Sequence, residues 1–150
     1  MKAYIVDDFD VLIGIDWADD KHDICEHPSN SNIYQYSIIK HTPEALHEWA
    51  MDLKLRYPNK QIAVACELKK GPLIYALAKY NHITIFTINP STVAKYRDAF
   101  TPSGAKDDPS DAFIQVEILS LHMDKLWHGS NSVNTFLLIG DFIIKHFCPV

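Results

Sequence analysis

The stretch VLIGID at residues 11–16 decides the fold, because it is an almost continuous apolar run that ends in a carboxylate. Runs of this kind are typical of a central β-strand that is buried on both faces. The stretch IAVACE at residues 62–67 repeats the pattern, again with an acid at its end, and ITIFTI at residues 83–88 is a third apolar strand. The sequence therefore predicts a sheet whose central strands carry acids at their carboxyl ends.

Two further strands and four helices are predicted around these central strands. Residues 33–39, and more weakly residues 22–27, have strand composition, and turn-forming residues separate them. Thr42 and Pro43 are typical of a helix start, and further helices are predicted near residues 71–80, 90–100 and 108–123. The order β-β-β-α-β-α-β-α-α predicts an α/β fold with a mixed five-stranded sheet flanked by helices. This pattern fits the ribonuclease H-like (RuvC-like) architecture.

Composition limits the classes to which the protein can belong. The chain has 150 residues, of which 47% are hydrophobic, and a net charge of −5, so one globular domain is expected. The sequence has neither an apolar run of about 20 residues nor a basic N-terminal leader, which predicts a cytoplasmic protein with no membrane association. Cys25, Cys66 and Cys148 lack the spacing of a disulfide framework or a zinc site. The net acidity argues against nucleic acid as a partner unless the acids are concentrated in one site.

Asp16 and Glu67 are the first two candidate site residues. If their strands are parallel, both acids lie at the carboxyl edge of the sheet, where open α/β sheets place their sites. Small residues share their faces, with Gly14 on one strand and Ala63 and Ala65 on the other. A helix is therefore expected to pack closely there and to bring its own side chains to the pair. The alternative, that each acid is merely solvated at a strand end, stays open for either residue alone.

Asp108 and Asp111 are the second pair, and their spacing of three places them on one face of a helix. The alternative is that Asp108, which precedes Pro109, caps that helix in a capping box. A cap would account for neither Asp16 nor Glu67. Four converging carboxylates would repel one another without metal, and hard oxygen ligands suit Mg²⁺ or Mn²⁺. The cluster predicts a site for two such ions, which can promote phosphodiester displacement.

Four blocks of the sequence resemble the N-terminal domain of the IS-one-ten family of DEDD transposases. They are GIDWA at 14–18, ACELKKGPL at 65–73, INPSTVAKYRDAF at 88–100 and AKDDPSDA at 105–112, and the resemblance covers about residues 11–125. These proteins are RuvC-like recombinases of bacterial insertion sequences. The resemblance implies DNA transposition and recombination, with DNA binding, Mg²⁺-dependent strand cleavage or transfer, guidance by a bridge RNA, and homo-oligomers.

Carried onto this sequence, the family's catalytic and metal-binding tetrad falls on Asp16, Glu67, Asp108 and Asp111. Asp107 stands where the family usually has Thr, so it is an alternative third ligand. Basic residues near these acids are predicted to contact nucleic-acid phosphates, or else are ordinary solvated charges. They are Lys69, Lys70, Lys95, Arg97 and Lys106. Lys69-Lys70-Gly71 also departs from the Thr-Gly that the family usually shows after its Glu, which puts that turn in question.

The sequence contains no counterpart of the family's second domain, which carries a nucleophilic serine. We expect a RuvC-like catalytic-type domain over residues 1–125 and a tail of unclear origin, favoured as a product of truncation, over residues 126–150. On this hypothesis the chain does not recombine DNA alone. The alternatives are a non-catalytic nucleic-acid-binding or dimerisation module and an inactive remnant. The tetrad accounts for four of the five net negative charges, so the remainder is nearly neutral and is expected to bind DNA weakly.

Overall fold

The computed structural model describes residues 3–67, 71–100 and 110–129. The strands are β1 (Phe9–Trp17), β2 (Lys21–Pro28), β3 (Gln35–Lys40), β4 (Gln61–Glu67), β5 (Ile83–Ile88) and β6 (Trp127–Gly129). The α-helices are α1 (Pro43–Arg56), α2 (Gly71–Ala78), α3 (Pro90–Phe100) and α4 (Asp111–His122), and short 3₁₀ turns cover Val6–Asp8 and Met123–Lys125. Within the described ranges, none of the helices combines the length and the apolar character needed to cross a membrane.

The strands form one mixed sheet in the order β3-β2-β1-β4-β5-β6. β1 pairs in parallel with β4, and β4 with β5, whereas β1–β2, β2–β3 and β5–β6 are antiparallel. The predicted five-stranded mixed sheet is confirmed, and the three-residue β6 adds a sixth strand beside β5 that the sequence did not predict. Because β6 lies past residue 125, the sheet extends beyond the predicted domain boundary, which itself stays a prediction.

Two apolar layers cover the two faces of the sheet. One layer joins Ile13 and Ile15 of β1 to residues of α1 and α2, including Trp49 and Leu77. The other joins Leu12 of β1, the alanines of β4 and Phe86 of β5 to the buried face of α4. The alternation along β1 explains why its sequence is apolar on both faces, as expected for a central strand.

The start of α1 illustrates how local sequence fixes an element. Thr42 has extended backbone angles, and its Oγ1 accepts a hydrogen bond from the Ala45 amide at 3.1 Å. Pro43 follows at the first helical position, where its missing N–H costs nothing. Residues spaced three or four apart form one apolar stripe that faces the core, and all of them are buried: Leu46, Trp49, Ala50 and Leu53.

Candidate metal centre

Asp16 and Glu67 lie at the same edge of the sheet, as their positions in the sequence predicted. The parallel pairing of β1 with β4 continues to Gly14 and Ala65. Each acid stands two residues beyond that last pair, so the two lie at the same level on neighbouring strands. Glu67 is only 8% exposed, and Asp16 is partly buried. The topology therefore brings two candidate ligands to the carboxyl edge.

α4 brings Asp111 to this edge as its first residue. Ser110 has extended backbone angles, and its Oγ accepts a hydrogen bond from the Phe113 amide at 3.2 Å, so Ser110 is the N-cap. The predicted start near residue 108 and the interpretation of Asp108 as a cap are therefore wrong. The predicted sharing of one helical face by Asp108 and Asp111 stays a prediction, since Asp108 lies outside the described residues. Five of the candidate site residues lie outside the described ranges: Lys69, Lys70, Lys106, Asp107 and Asp108.

The absence of a side chain at Gly14 allows α4 to approach β1 closely. A Cβ atom built at Gly14 would lie 2.1 Å from the carbonyl oxygen of Ala112 and 3.1 Å from the Cβ of Gln115. Ala63 and Ala65 of β4 belong to the same buried layer as Ala112. The prediction that small residues admit a closely packed helix is thus confirmed, and this contact places Asp111 beside the end of β1.

Gln115 is a site residue that sequence reasoning missed. It is completely buried, and its Oε1 accepts a hydrogen bond from the Ile15 amide at 3.1 Å, just beyond the last residue of β1 that pairs with β4. Its Nε2 has no hydrogen-bond partner within the part of the chain that the structure describes. The sequence did offer one signal for Gln115, which is a single amide side chain in an apolar helical segment, four residues after Asp111. Gln115 ties the helix that carries Asp111 to the residue that precedes Asp16.

Arg97 of α3 forms an ion pair with Asp111. Its Nε donates to Oδ1 of Asp111 at 3.0 Å, and its Nη2 donates to the same oxygen. The hydrogen bonds to Asp111 raise the pKa of Arg97, and the negative charges of Asp111, Glu67 and Asp98 raise it further. The positive charge of Arg97 thus interacts with two candidate ligands, Asp111 and Glu67. Its predicted contact with a nucleic-acid phosphate would require this ion pair to open.

Trp17, next to Asp16, packs rather than standing free. Its ring stacks on that of His22, with centroids 3.5 Å apart and planes inclined by 8°, and it borders the apolar layer of α1 and α2. His22 is buried, and its Nδ1 accepts a hydrogen bond from the Ala18 amide at 3.1 Å. Trp17 is therefore a packing residue. This cluster fixes the backbone that immediately follows Asp16.

Comparison with known proteins identifies the family. The model of the IS110-type DEDD transposase family matches residues 13–129. The chain belongs to the IS110 family of DEDD transposases. It is 30% identical over 109 residues to "Putative transposase y4uE" of Sinorhizobium fredii, a match that covers 71% of this chain and 30% of that protein. It is 31% identical over 120 residues to "Mini-circle putative transposase for IS117" of Streptomyces coelicolor, covering 78% and 28% of the two chains.

Membership in the IS110 family confirms the resemblance found in the sequence and agrees with the ribonuclease H-like sheet. The matched segment begins inside β1 and ends with the last residue of β6, so it contains every described element that carries a candidate site residue. The chain spans about 30% of the length of the relatives it matches. Similarity alone therefore does not assign the functions of those longer proteins to this chain.

The donor chemistry at this edge fits a hard divalent ion. Asp16, Glu67 and Asp111 stand on three elements that meet here, and they offer carboxylate oxygens, which Mg²⁺ and Mn²⁺ prefer. Within residues 3–67, 71–100 and 110–129, no three His, Cys, Asp or Glu side chains form a group that could hold a metal ion. The remaining predicted ligand, Asp108, lies outside those residues, and one oxygen of Asp111 is bonded to Arg97.

Proposed function

We propose that this chain is the metal-dependent catalytic domain of an insertion-sequence transposase, which binds DNA and cleaves or transfers a phosphodiester strand. One observation carries the proposal: in an IS110-family chain, β1, β4 and α4 bring Asp16, Glu67 and Asp111 to one edge of the sheet. A domain that only binds nucleic acid gains nothing from gathering carboxylates, because they repel phosphate.

In this proposal Asp16, Glu67, Asp111 and either Asp108 or Asp107 hold Mg²⁺ or Mn²⁺. When bound, such ions supply activation of the attacking water or hydroxyl and stabilisation of the leaving oxygen. The near-complete burial of Glu67 restricts its orientation. The hydrogen bond from Ile15 to Gln115 fixes α4 against β1, and through it the position of Asp111. The chain's own contribution is thus a set of oxygen donors held in place by packing.

DNA is the proposed partner, and basic residues near the acids are proposed to contact its phosphates. Lys95 is exposed on α3, the helix that also carries Arg97. Lys69, Lys70 and Lys106 complete the set proposed from the sequence. Guidance by a bridge RNA and assembly into homo-oligomers are proposed from family membership alone. Because the chain is acidic overall, its DNA binding is expected to be weak and sensitive to salt.

Metal titration of the purified chain tests the proposal. Mn²⁺ or Mg²⁺ is added to the wild type, to Asp16→Asn and to the control Asp19→Asn, which removes the same charge at an exposed position three residues away. The melting temperature is followed, together with cleavage of linear and branched DNA. We expect metal to stabilise the wild type and Asp19→Asn but not Asp16→Asn, and we expect cleavage to follow the same pattern.

The outcomes separate the candidate functions. Metal stabilisation that depends on Asp16, accompanied by cleavage, supports a catalytic domain. DNA binding without cleavage in the presence of metal favours the alternative, a nucleic-acid-binding or dimerisation module. If neither ion stabilises the wild type, the proposed metal centre is refuted. Insertion of DNA by this chain alone would refute the expectation that strand exchange needs the family's serine domain.

A further inference from the structure

Arg97 of α3 is bonded to the carboxylate of Asp111, in the first turn of α4. Both its Nε and its Nη2 donate to Oδ1 of Asp111. The side chain of Arg97 is 40% exposed and that of Asp111 is 24% exposed, so the pair lies at the margin of the site rather than in the core. An ion pair at such a position opens at modest cost, because water can solvate both partners.

The charge of Arg97 also reaches beyond Asp111. The negative charge of Glu67, on β4, contributes to the raised pKa of Arg97, so the guanidinium interacts with two of the proposed ligands. Carboxylates gathered at one edge destabilise one another unless a positive charge compensates them. Arg97 supplies such a charge from α3, a helix that carries none of the proposed ligands.

We infer that Arg97 is an internal counter-ion of the candidate metal centre, which a divalent cation displaces from Asp111 when it binds. The inference rests on the proposed function, since it requires a metal to bind at Asp111. A guanidinium and a hard cation compete for the same carboxylate oxygen, and the cation attracts it more strongly because it is doubly charged and compact. Arg97 is therefore a positioning residue that lowers metal affinity in the free protein.

Displacement would give Arg97 a second role. A guanidinium released from Asp111 stays at the rim of the site, where its planar set of donors suits the oxygens of a phosphate. Metal binding would thus break the ion pair between Asp111 and the side chain that the sequence suggested as a phosphate contact. Under this inference the free protein hides that contact, and metal binding precedes it.

Mn²⁺ affinity measured by calorimetry on the whole chain tests the inference. The variants are Arg97→Gln, which removes the competing charge, and Arg97→Lys, which keeps a charge but loses the planar donors. Lys54→Gln is the control, because it removes an equal charge at an exposed position of α1, away from the candidate site. We expect Arg97→Gln to bind Mn²⁺ about 2- to 5-fold more tightly than the wild type, which corresponds to the strength of a partly exposed ion pair. Arg97→Lys is expected to have an affinity between those two, and Lys54→Gln to resemble the wild type.

A second readout follows the guanidinium itself. In proton–nitrogen spectra, the Nε–H of Arg97 is expected to exchange slowly with water in the metal-free protein and rapidly after addition of Mg²⁺. Equal or weaker Mn²⁺ binding by Arg97→Gln, or an Nε–H that stays protected with Mg²⁺ bound, would overturn the inference while leaving the metal centre intact. If no variant binds either ion, the proposed metal centre fails, and this inference fails with it.

Discussion

Replacing Gly14 with alanine tests how packing builds the candidate metal centre. The added Cβ would lie 2.1 Å from the carbonyl oxygen of Ala112, whereas ordinary contacts begin at 3.4 Å. The obstacle is backbone, so no side-chain rotation relieves it. α4 therefore has to move away from β1 by at least 1.3 Å, the difference between these two distances. That movement carries Asp111 away from Asp16.

The expected loss of stability has two sources. Forcing an extra methyl group into a well-packed layer costs about 1–3 kcal/mol. Moving α4 also weakens the hydrogen bond between Gln115 and the Ile15 amide, both of which are buried, and an unpaired buried group costs about 1–3 kcal/mol. Because the movement weakens that bond without abolishing it, we expect the free energy of unfolding to fall by about 2–4 kcal/mol.

Urea unfolding and Mn²⁺ titration together distinguish this effect from general destabilisation. The control is Ile13→Ala, on the same strand but in the opposite apolar layer, which is expected to cost about 2–5 kcal/mol through the cavity it leaves. The Mn²⁺ affinity of Gly14→Ala should fall at least about ten-fold, because displacing a ligand such as Asp111 by about 1 Å disrupts the geometry of the site. The Mn²⁺ affinity of Ile13→Ala should be unchanged. A loss of stability below about 1 kcal/mol, or equal Mn²⁺ affinity in the two variants, would refute the reasoning.

Three other measurements address the rest of the fold. Glu26→Gln is expected to lower the free energy of unfolding by about 1–2 kcal/mol in urea titration, because buried Glu26 accepts two hydrogen bonds of 2.8 Å from the guanidinium of Arg56. In a Cys148→Ser background, Cys25 and Cys66 are expected to react with a thiol reagent only on unfolding, because both are buried. Burial also raises the pKa of the Cys25 thiol to about 11 and that of the Cys66 thiol to about 12. The contribution of these thiols to the free energy of unfolding should therefore be complete below pH 9, and should decline as the pH rises towards these values. Replacing both cysteines with Ala should remove this decline.

The central strands could be predicted because each is a continuous apolar run with polar residues at both ends. Residues 83–88 match β5 at both ends, and β1 and β4 extend the predicted strands by at most two residues at either end. β6 could not be predicted in this way, since three residues carry no periodicity and its strand character depends on pairing with β5. The start of α4 was also misplaced, because Asp108 and Ser110 are both good capping residues and only the backbone angles decide between them.

The candidate site was predictable only where it follows from strand ends. Asp16 and Glu67 terminate apolar runs, so parallel pairing of their strands places them together. The pair formed by Arg97 and Asp111 depends on how α3 crosses α4, which no local pattern specifies. The bond between Ile15 and Gln115 joins residues one hundred positions apart. Side chains that act across elements are therefore the part of the site that a single sequence conceals.

The positions of the charged residues matter more for DNA binding than the net charge of the chain does. Asp16, Glu67 and Asp111 lie at one edge, and Arg97 already compensates Asp111. In the proposed metal-bound state, two divalent ions carry four positive charges and would offset four of the five net negative charges. The same event would release the guanidinium of Arg97 at the rim. Metal would then convert an edge that repels phosphate into one that attracts it, so DNA binding by this chain should rise with metal concentration and lose that dependence in Asp111→Asn.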